Sequence, residues 1–299
     1  MSALGRLRDK FPIDATMEGG KRPTMKRRMR VARRGEWTYL CGSLVKVQDD
    51  GPRGDLDNHL HIARELRAGT VLDVGCGTGS FALRLASLEV VVTGVDPAAA
   101  SLNVARAKQG ARQVTWLHGD ATTLPPMRID LAVMTGNVAQ VFLTDAAWHD
   151  TLTRLRHALA PGGHLVFETR NLEYRSWEKW ASDPAIESID IDGVGLVTQR
   201  REVTDIALPY VSFRHAYTLP DGTEITSDST LRFRDPDEIA VSFDAASYTL
   251  IDRRDPPDRP GAEHVYVAQR NSASRASLEY FHPHEPAPRA PVCAAASGH

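Results

Sequence analysis

Between residues 70 and 170 the chain repeats one rhythm: a short apolar run, an amphipathic stretch, then another apolar run. The runs at 71–74, 90–95, 114–117, 129–134 and 165–168 have almost no polar residues, so they do not read as strands with one wet face. Strands buried on both faces look like this, and parallel strands need a crossover, usually a helix, between them. The intervening stretches supply those helices. The first, from about 80 to 88, places Phe81, Leu85 and Leu88 on one side, and a second runs from about 98 to 108. A third is capped by Thr144 or Asp145 and ends near 160, where Pro161-Gly162-Gly163 stops it. The expected class is α/β, a doubly wound sheet covered on both faces.

The rest of the chain is arranged around this block. Residues 1–35 show no periodicity and read as a basic, disordered extension. Residues 36–69 read as an N-terminal cap or lid. They hold an apolar run at 37–47, a break at Gly51-Pro52-Arg53-Gly54, and a helix begun by Asp55 with Leu56, Leu60, Ala63 and Leu66 on one face. After Arg170 a short helix is expected at 171–181, carrying Trp177 and Trp180. β-like runs follow at 194–198, 203–206, 211–219 and 224–233, the last two joined as a hairpin by Pro220-Asp221-Gly222. Residues 172–233 therefore form a β-rich insertion, an acceptor cover or dimerisation element whose strand edges offer pairing to a second copy of the chain. A helix capped by Asp235 or Asp237 and strands at 248–251 and 264–268 return to the main sheet, which takes 70–171 and 234–270. The Ala/Pro/Ser-rich residues 271–299 read as a disordered tail.

The first apolar run enters Gly75-Cys76-Gly77-Thr78-Gly79, and a helix follows. Strand, glycine turn and helix make a unit in which backbone amides and a helix start meet a ligand's polar groups. A nicotinamide-binding turn is spaced G-x-G-x-x-G; here the glycines are closer, and Asp73 stands two residues before the first. A carboxylate there would repel phosphates and attract an ammonium, so the turn suits a nucleoside-bearing ligand with a cationic part. Asp96, followed by Pro97, closes the second strand, where a carboxylate can accept both ribose hydroxyls. Asp120-Ala121 follows the third strand, where an acid and a neighbouring amide can take an adenine edge.

Charge and cysteine content narrow the function classes. Residues 1–34 hold 11 Lys/Arg against 3 Asp/Glu, leaving 25 against 35 for the remainder of a chain whose formal charge is −2. An acidic globular part argues against a nucleic-acid groove. Cys41, Cys76 and Cys293 are scattered and odd in number, and the histidines lack ligand spacing. Neither a disulfide framework nor a metal site is expected, and the reading is a cytoplasmic protein without a membrane span.

D-x-G-x-G-x-G, an acid after the second strand, G-D-A after the third and P-G-G before the fifth together resemble class I S-adenosylmethionine-dependent methyltransferases. The resemblance covers about residues 71–169 and continues more weakly to 269. It implies a Rossmann-like seven-stranded sheet whose last strand is antiparallel, with S-adenosyl-L-methionine as cofactor. It assigns Asp73, Gly75, Gly77 and Gly79, with Cys76 between them, to the methionine part. Asp96 with Pro97 goes to the ribose, and Asp120 with Ala121 to the adenine. Thr135, Gly136 and Asn137 follow the fourth strand at the sheet's carboxyl edge and complete the set.

The acceptor side is less marked. The Asn/Asp-Pro-Pro-aromatic motif of nucleic-acid amino methyltransferases is missing, and the small-residue loop at 135–142 is similar to that of bacterial small-molecule methyltransferases. The expected reaction is methyl transfer to nitrogen or oxygen of a small acceptor. The alternatives are a non-catalytic S-adenosylmethionine-binding protein and a nicotinamide-dependent oxidoreductase. Candidate acceptor or catalytic contacts are Asn137, Gln140, Glu168, Arg170 and Tyr39. Glu168 and Arg170 share one face of the fifth strand. His59 and His61 lie on the first helix, and His118 ends the third strand. His149 lies off the buried stripe formed by Trp148, Leu152, Leu155 and Leu159.

Overall fold

The computed structural model describes residues 28–31, 54–183, 186–191 and 195–271. Tyr39, the apolar run at 37–47 and the tail from 272 onward lie outside them. Of the basic extension, residues 28–31 are described, and they are a short strand, β1 (Arg28–Val31), rather than disordered chain. Backbone pairing accounts for the difference, because β1 runs parallel to a strand of the insertion.

The alternating segment folds in the expected order. Helix α1 (Asp55–Glu65) is followed by β2 (Thr70–Val74), α2 (Ser80–Ala86), β3 (Val91–Asp96), α3 (Ala99–Ala107) and β4 (Val114–His118). Then come β5 (Ile129–Met134), α4 (Asp145–Ala158) and β6 (Leu159–Arg170). The insertion contributes α5 (Ser176–Ser182), β7 (Ile186–Ile191), β8 (Gly195–Ala207), β9 (Tyr210–Thr218) and β10 (Glu224–Arg232). The chain returns through α6 (Pro236–Ala245), β11 (Tyr248–Arg254) and β12 (Glu263–Arg270).

Seven strands make the main sheet, in the order β11-β12-β6-β5-β2-β3-β4. Strands β2 to β6 are mutually parallel, and β12 inserts antiparallel between β6 and β11. The two-residue period of the strands sorts their side chains between two cores. Leu72, Ala132, Met134, Leu165 and Phe167 face α4 and α6, where Trp148, Phe243, Tyr248 and Tyr266 pack around them. Val71, Leu131, Val133 and Val166 face α1 and α2, meeting Leu56, Leu60, Ile62, Phe81 and Leu85. Asp73 and Glu168 share the parity of this second set, which aims both carboxylates at the α1 side of the sheet.

The insertion forms a second sheet, β1-β10-β9-β8-β7. Residues 194–198 and 203–206, read above as two strands, are one continuous strand, β8, with an irregularity between Val203 and Asp205 in its pairing with β9. Strand β7 was not anticipated. Its exposed Ile186 and interspersed acidic residues give it no clear period. The sheet is seated by Trp177, Val211, Leu231 and Phe233, with the Trp177 and Phe233 rings edge to face at 4.9 Å. Its exit is tied to the main domain by two arginines. Arg232 pairs with Asp145 at 2.7 Å and Glu238 at 2.9 Å. Arg234 donates to the Phe142 carbonyl at 2.9 Å and stacks over Trp148. Asp235, not Asp237, caps α6, in a reciprocal capping box with Glu238. Among the described residues no helix is long and apolar enough to cross a membrane.

Candidate functional site

The turn from β2 to α2 is held by its neighbour strand. The Gly75 and Cys76 amides both donate to the Val95 carbonyl, at 2.8 and 3.1 Å. Gly75, Gly77 and Gly79 all have positive φ (71°, 55° and 82°), a region side chains rarely enter. Their surroundings differ. A Cβ on Gly75 would meet Val138, and one on Gly79 would run into the Trp116 ring. One on Gly77 would meet no atom within 4 Å. The same holds at Gly136 (φ 68°), after β5. Two backbone turns at the carboxyl ends of adjacent parallel strands thus face open space.

Asp73 is fully buried in β2, in register with Gly94 of β3 and Val133 of β5. Asp96 ends β3 and braces the turn: Oδ2 accepts from the Gly77 amide at 2.8 Å and Oδ1 from the Ala98 amide at 2.7 Å. Burial raises its pKa in spite of those two bonds. Burial, with Asp73 and Asp96 adding, also pushes the Cys76 thiol up, so it stays protonated. His118 Nε2 lies 3.1 Å from the Pro97 carbonyl. Asp120 is exposed and caps its own short turn, with Oδ1 accepting from the Thr122 amide and hydroxyl; Ala121 is buried behind it.

At the end of β5, Thr135, Asn137 and Gln140 are all buried. The Gly136 amide donates to Glu168 Oε1 at 2.7 Å, which ties this turn to β6. On the far side of Glu168 stands His59 of α1, with Nε2 3.8 Å from Oε2 and both side chains sealed from solvent. Asn137 adopts the left-handed conformation and donates through Nδ2 to Glu263 Oε1 at 3.0 Å; Arg259 donates to the same oxygen at 2.8 Å. Gln140 bridges inward and outward. Its Oε1 accepts from Arg170 Nη1 at 2.9 Å, and its Nε2 points to the Arg232 carbonyl at 3.4 Å. Asn137, Gln140, Glu168 and Arg170 thus sit at neighbouring strand ends in three side-chain groups: Glu168 with the Gly136 amide and His59, Asn137 with Glu263 and Arg259, and Gln140 with Arg170. His61 and His149 are exposed, and Trp177 is core.

Glu263, Arg259 and Arg201 belong to this region, and no motif marks them. Glu263 meets Asn137 across 126 positions, through the antiparallel register that sets Glu263 opposite Arg170. The readable clue was parity, since Glu263, Val265 and Val267 share a face of β12.

Burial dominates the raised pKa of Glu168, with Glu263 adding to it, while His59, Arg259 and the Gly136 amide oppose. An acid whose folded pKa is raised costs stability when it ionises. That cost is absent below its ordinary value of 4.5 and complete above the raised folded value. Glu168→Gln keeps an acceptor for the Gly136 amide without the charge. Its stability relative to the parent, followed by urea unfolding from pH 4 to pH 8, is expected to rise with pH. A relative fall would mean that attraction to a charged His59 outweighs burial.

Residues 71–163 match the family model described as a methyltransferase domain. A putative methyltransferase of Geobacillus sp. (strain WCH70) is 34% identical over 104 residues, 34% of this chain and 42% of that protein. An uncharacterized methyltransferase of Mycobacterium tuberculosis (strain ATCC 25618 / H37Rv) is 38% identical over 112 residues, 36% of this chain and 55% of its own length. The chain spans about half the length of these curated relatives. Among solved structures, the sugar N-methyltransferase KedS8 from Streptoalloteichus sp ATCC 53650 superposes with a TM-score of 0.65 at 16% identity, over 88% of this chain and 99% of that one. The domain match places a methyltransferase domain at residues 71–163, and the seven-stranded sheet that carries it shares its fold with the solved structure.

Proposed function

We propose that the protein is an S-adenosylmethionine-dependent methyltransferase that methylates nitrogen or oxygen of a small-molecule acceptor. The observation that carries this reading is the pair of left-handed glycines, Gly77 and Gly136, opening on empty space at neighbouring strand ends. A cradle of that kind lets a ligand lie against bare backbone. The residues around it fit the cofactor. The turn Gly75-Cys76-Gly77, opening α2 at Gly79, would take the methionine part, with Asp73 beneath it as the counter-charge to an ammonium. Each Asp96 oxygen accepts one amide bond and keeps a second lone pair for a ribose hydroxyl. Pro97 flanks that carboxylate, Asp120 and Ala121 would take the adenine, and Thr135, Gly136 and Asn137 would close the cleft from the β5 side.

When bound, the cofactor supplies an electrophilic methyl group on a sulfonium. The protein's part is to position the acceptor and exclude water, which is where much of the rate enhancement of such a displacement comes from. Glu168 holds the Gly136 turn through its amide, and Val138 packs on Gly75, so the wall of the cleft is rigid. The acidic globular part and the fold shared with a sugar N-methyltransferase support a small metabolite over a nucleic acid as acceptor. The test is release of S-adenosylhomocysteine by the purified chain across a panel of amino sugars, aliphatic amines, phenols and alcohols. Release above the acceptor-free background with an amine or hydroxyl compound is expected. Tight S-adenosylhomocysteine binding with no release would favour a non-catalytic binding protein. Quenching of nicotinamide fluorescence that S-adenosylhomocysteine does not reverse would favour an oxidoreductase.

A further inference from the structure

Where the insertion sheet meets the carboxyl end of β6, two arginines converge on one ring. Arg170 is the last residue of β6, and Arg201 lies in β8. Each guanidinium carbon sits 5.1 Å from the centroid of Trp180, a residue of α5. Cation–π contacts of this kind hold a guanidinium in place without neutralising it.

The two charges are poorly compensated. Among the described residues neither arginine has a carboxylate at ion-pair distance. Arg170 donates to the neutral Gln140 side chain at 2.9 Å, and the Nε of Arg201 is buried with no hydrogen-bond partner. Glu263, the nearest acid to Arg170 in strand register, is already engaged by Asn137 and Arg259. Burial lowers the pKa of both arginines; Glu263 and Glu168 oppose this at Arg170, and Glu187 and Asp183 at Arg201, all from beyond ion-pair distance. His215 stands opposite Arg201 in the β8–β9 pairing, and burial followed by the Arg201 charge pushes it down to about 4, so it is neutral. Two half-buried guanidiniums facing one ring, with a free buried donor, call for an anion.

We infer that the acceptor carries an oxyanion, a carboxylate or a phosphate, bound by the guanidiniums of Arg170 and Arg201 that Trp180 holds in place. The guanidinium fork matches both anions with paired donors. Arg170 lies two residues beyond Glu168, whose carboxylate holds the Gly136 turn, so an acceptor anchored here would extend its nucleophile toward that turn. This rests on the methyltransferase reading and specifies the acceptor class for the same site.

The test uses the full chain saturated with S-adenosylhomocysteine and three probes of similar size: phenyl phosphate, benzoate and benzyl alcohol, titrated by calorimetry. At least one anion is expected to bind and benzyl alcohol not to. The preferred anion then tells phosphate from carboxylate. Arg201→Gln should weaken the anion about tenfold or more, the loss of a charge-assisted bond. Arg201→Lys, which keeps charge but not the fork, should fall between. S-adenosylhomocysteine binding by each variant serves as the folding control; if Arg201→Gln fails it, Arg201→Lys decides. Equal binding of charged and neutral probes, no probe binding, or an anion affinity unchanged in Arg201→Gln would overturn the inference. Failure of the parent chain to bind S-adenosylhomocysteine would instead strike the methyltransferase reading.

Discussion

Replacing Asp96 by alanine is expected to weaken S-adenosylhomocysteine binding by about 100-fold or more. Two separate losses combine. In the proposed complex the carboxylate accepts the ribose hydroxyls, and a hydrogen bond to a charged group contributes about 1.5–3 kcal/mol. Two such bonds correspond to at least about 100-fold in affinity. The same substitution releases the Gly77 and Ala98 amides, held at 2.8 and 2.7 Å, and so loosens the glycine turn. Asp96→Asn keeps one oxygen acceptor and should fall between alanine and the parent. Calorimetric titration of both variants checks this. An alanine variant binding within about threefold of the parent would remove Asp96 from the ribose role and, with it, the assigned cofactor orientation.

The second large effect separates two glycines that sit two residues apart. At Gly79 an alanine meets both a disfavoured backbone and a collision: φ is 82°, and the new methyl would strike the Trp116 ring with Ala105 3.1 Å away. Left-handed strain of about 1–2 kcal/mol and overpacking of about 1–3 kcal/mol add to an expected stability loss of about 3 kcal/mol. At Gly77 the strain remains, with φ 55°, but the methyl meets nothing within 4 Å. Gly77→Ala should therefore cost only about 1 kcal/mol of stability. Its methyl would nevertheless project into the proposed cleft, and S-adenosylhomocysteine binding should fall about tenfold or more, the effect of a steric change of 1–3 kcal/mol. Urea unfolding and calorimetry on the pair give a cross-over: one variant unstable, the other stable but unable to bind well. If Gly77→Ala bound S-adenosylhomocysteine like the parent, the open space beside it would not be the cofactor cleft.

These effects stand on features with different visibility in the amino-acid sequence. The strand at 129–134 appears at those boundaries, and the Pro220-Asp221-Gly222 turn is where its composition placed it, with Gly222 at φ 79°. Other boundaries moved. β6 extends back through Pro161-Gly162-Gly163, which stops the preceding helix but does not prevent the chain from pairing, and α1 is capped at Gly54 with Asp55 already in the first turn. Trp180 was readable as a residue of the short helix after β6, yet its role as a ring shared by two arginines was not, because Arg170 and Arg201 come from different sheets.

By itself the sequence determined the alternating α/β order, the glycine turn with Asp73 and Asp96 at the strand ends, and hence the kind of cofactor. Those features depend on side-chain period and on backbone angles within a few residues, which are local properties. Only the tertiary structure decided that His59 faces Glu168, that Glu263 holds Asn137, and that Arg201 joins Arg170 at Trp180. Each of those contacts depends on strand order, register and the seat of the insertion on the main sheet, and no spacing along the chain encodes them.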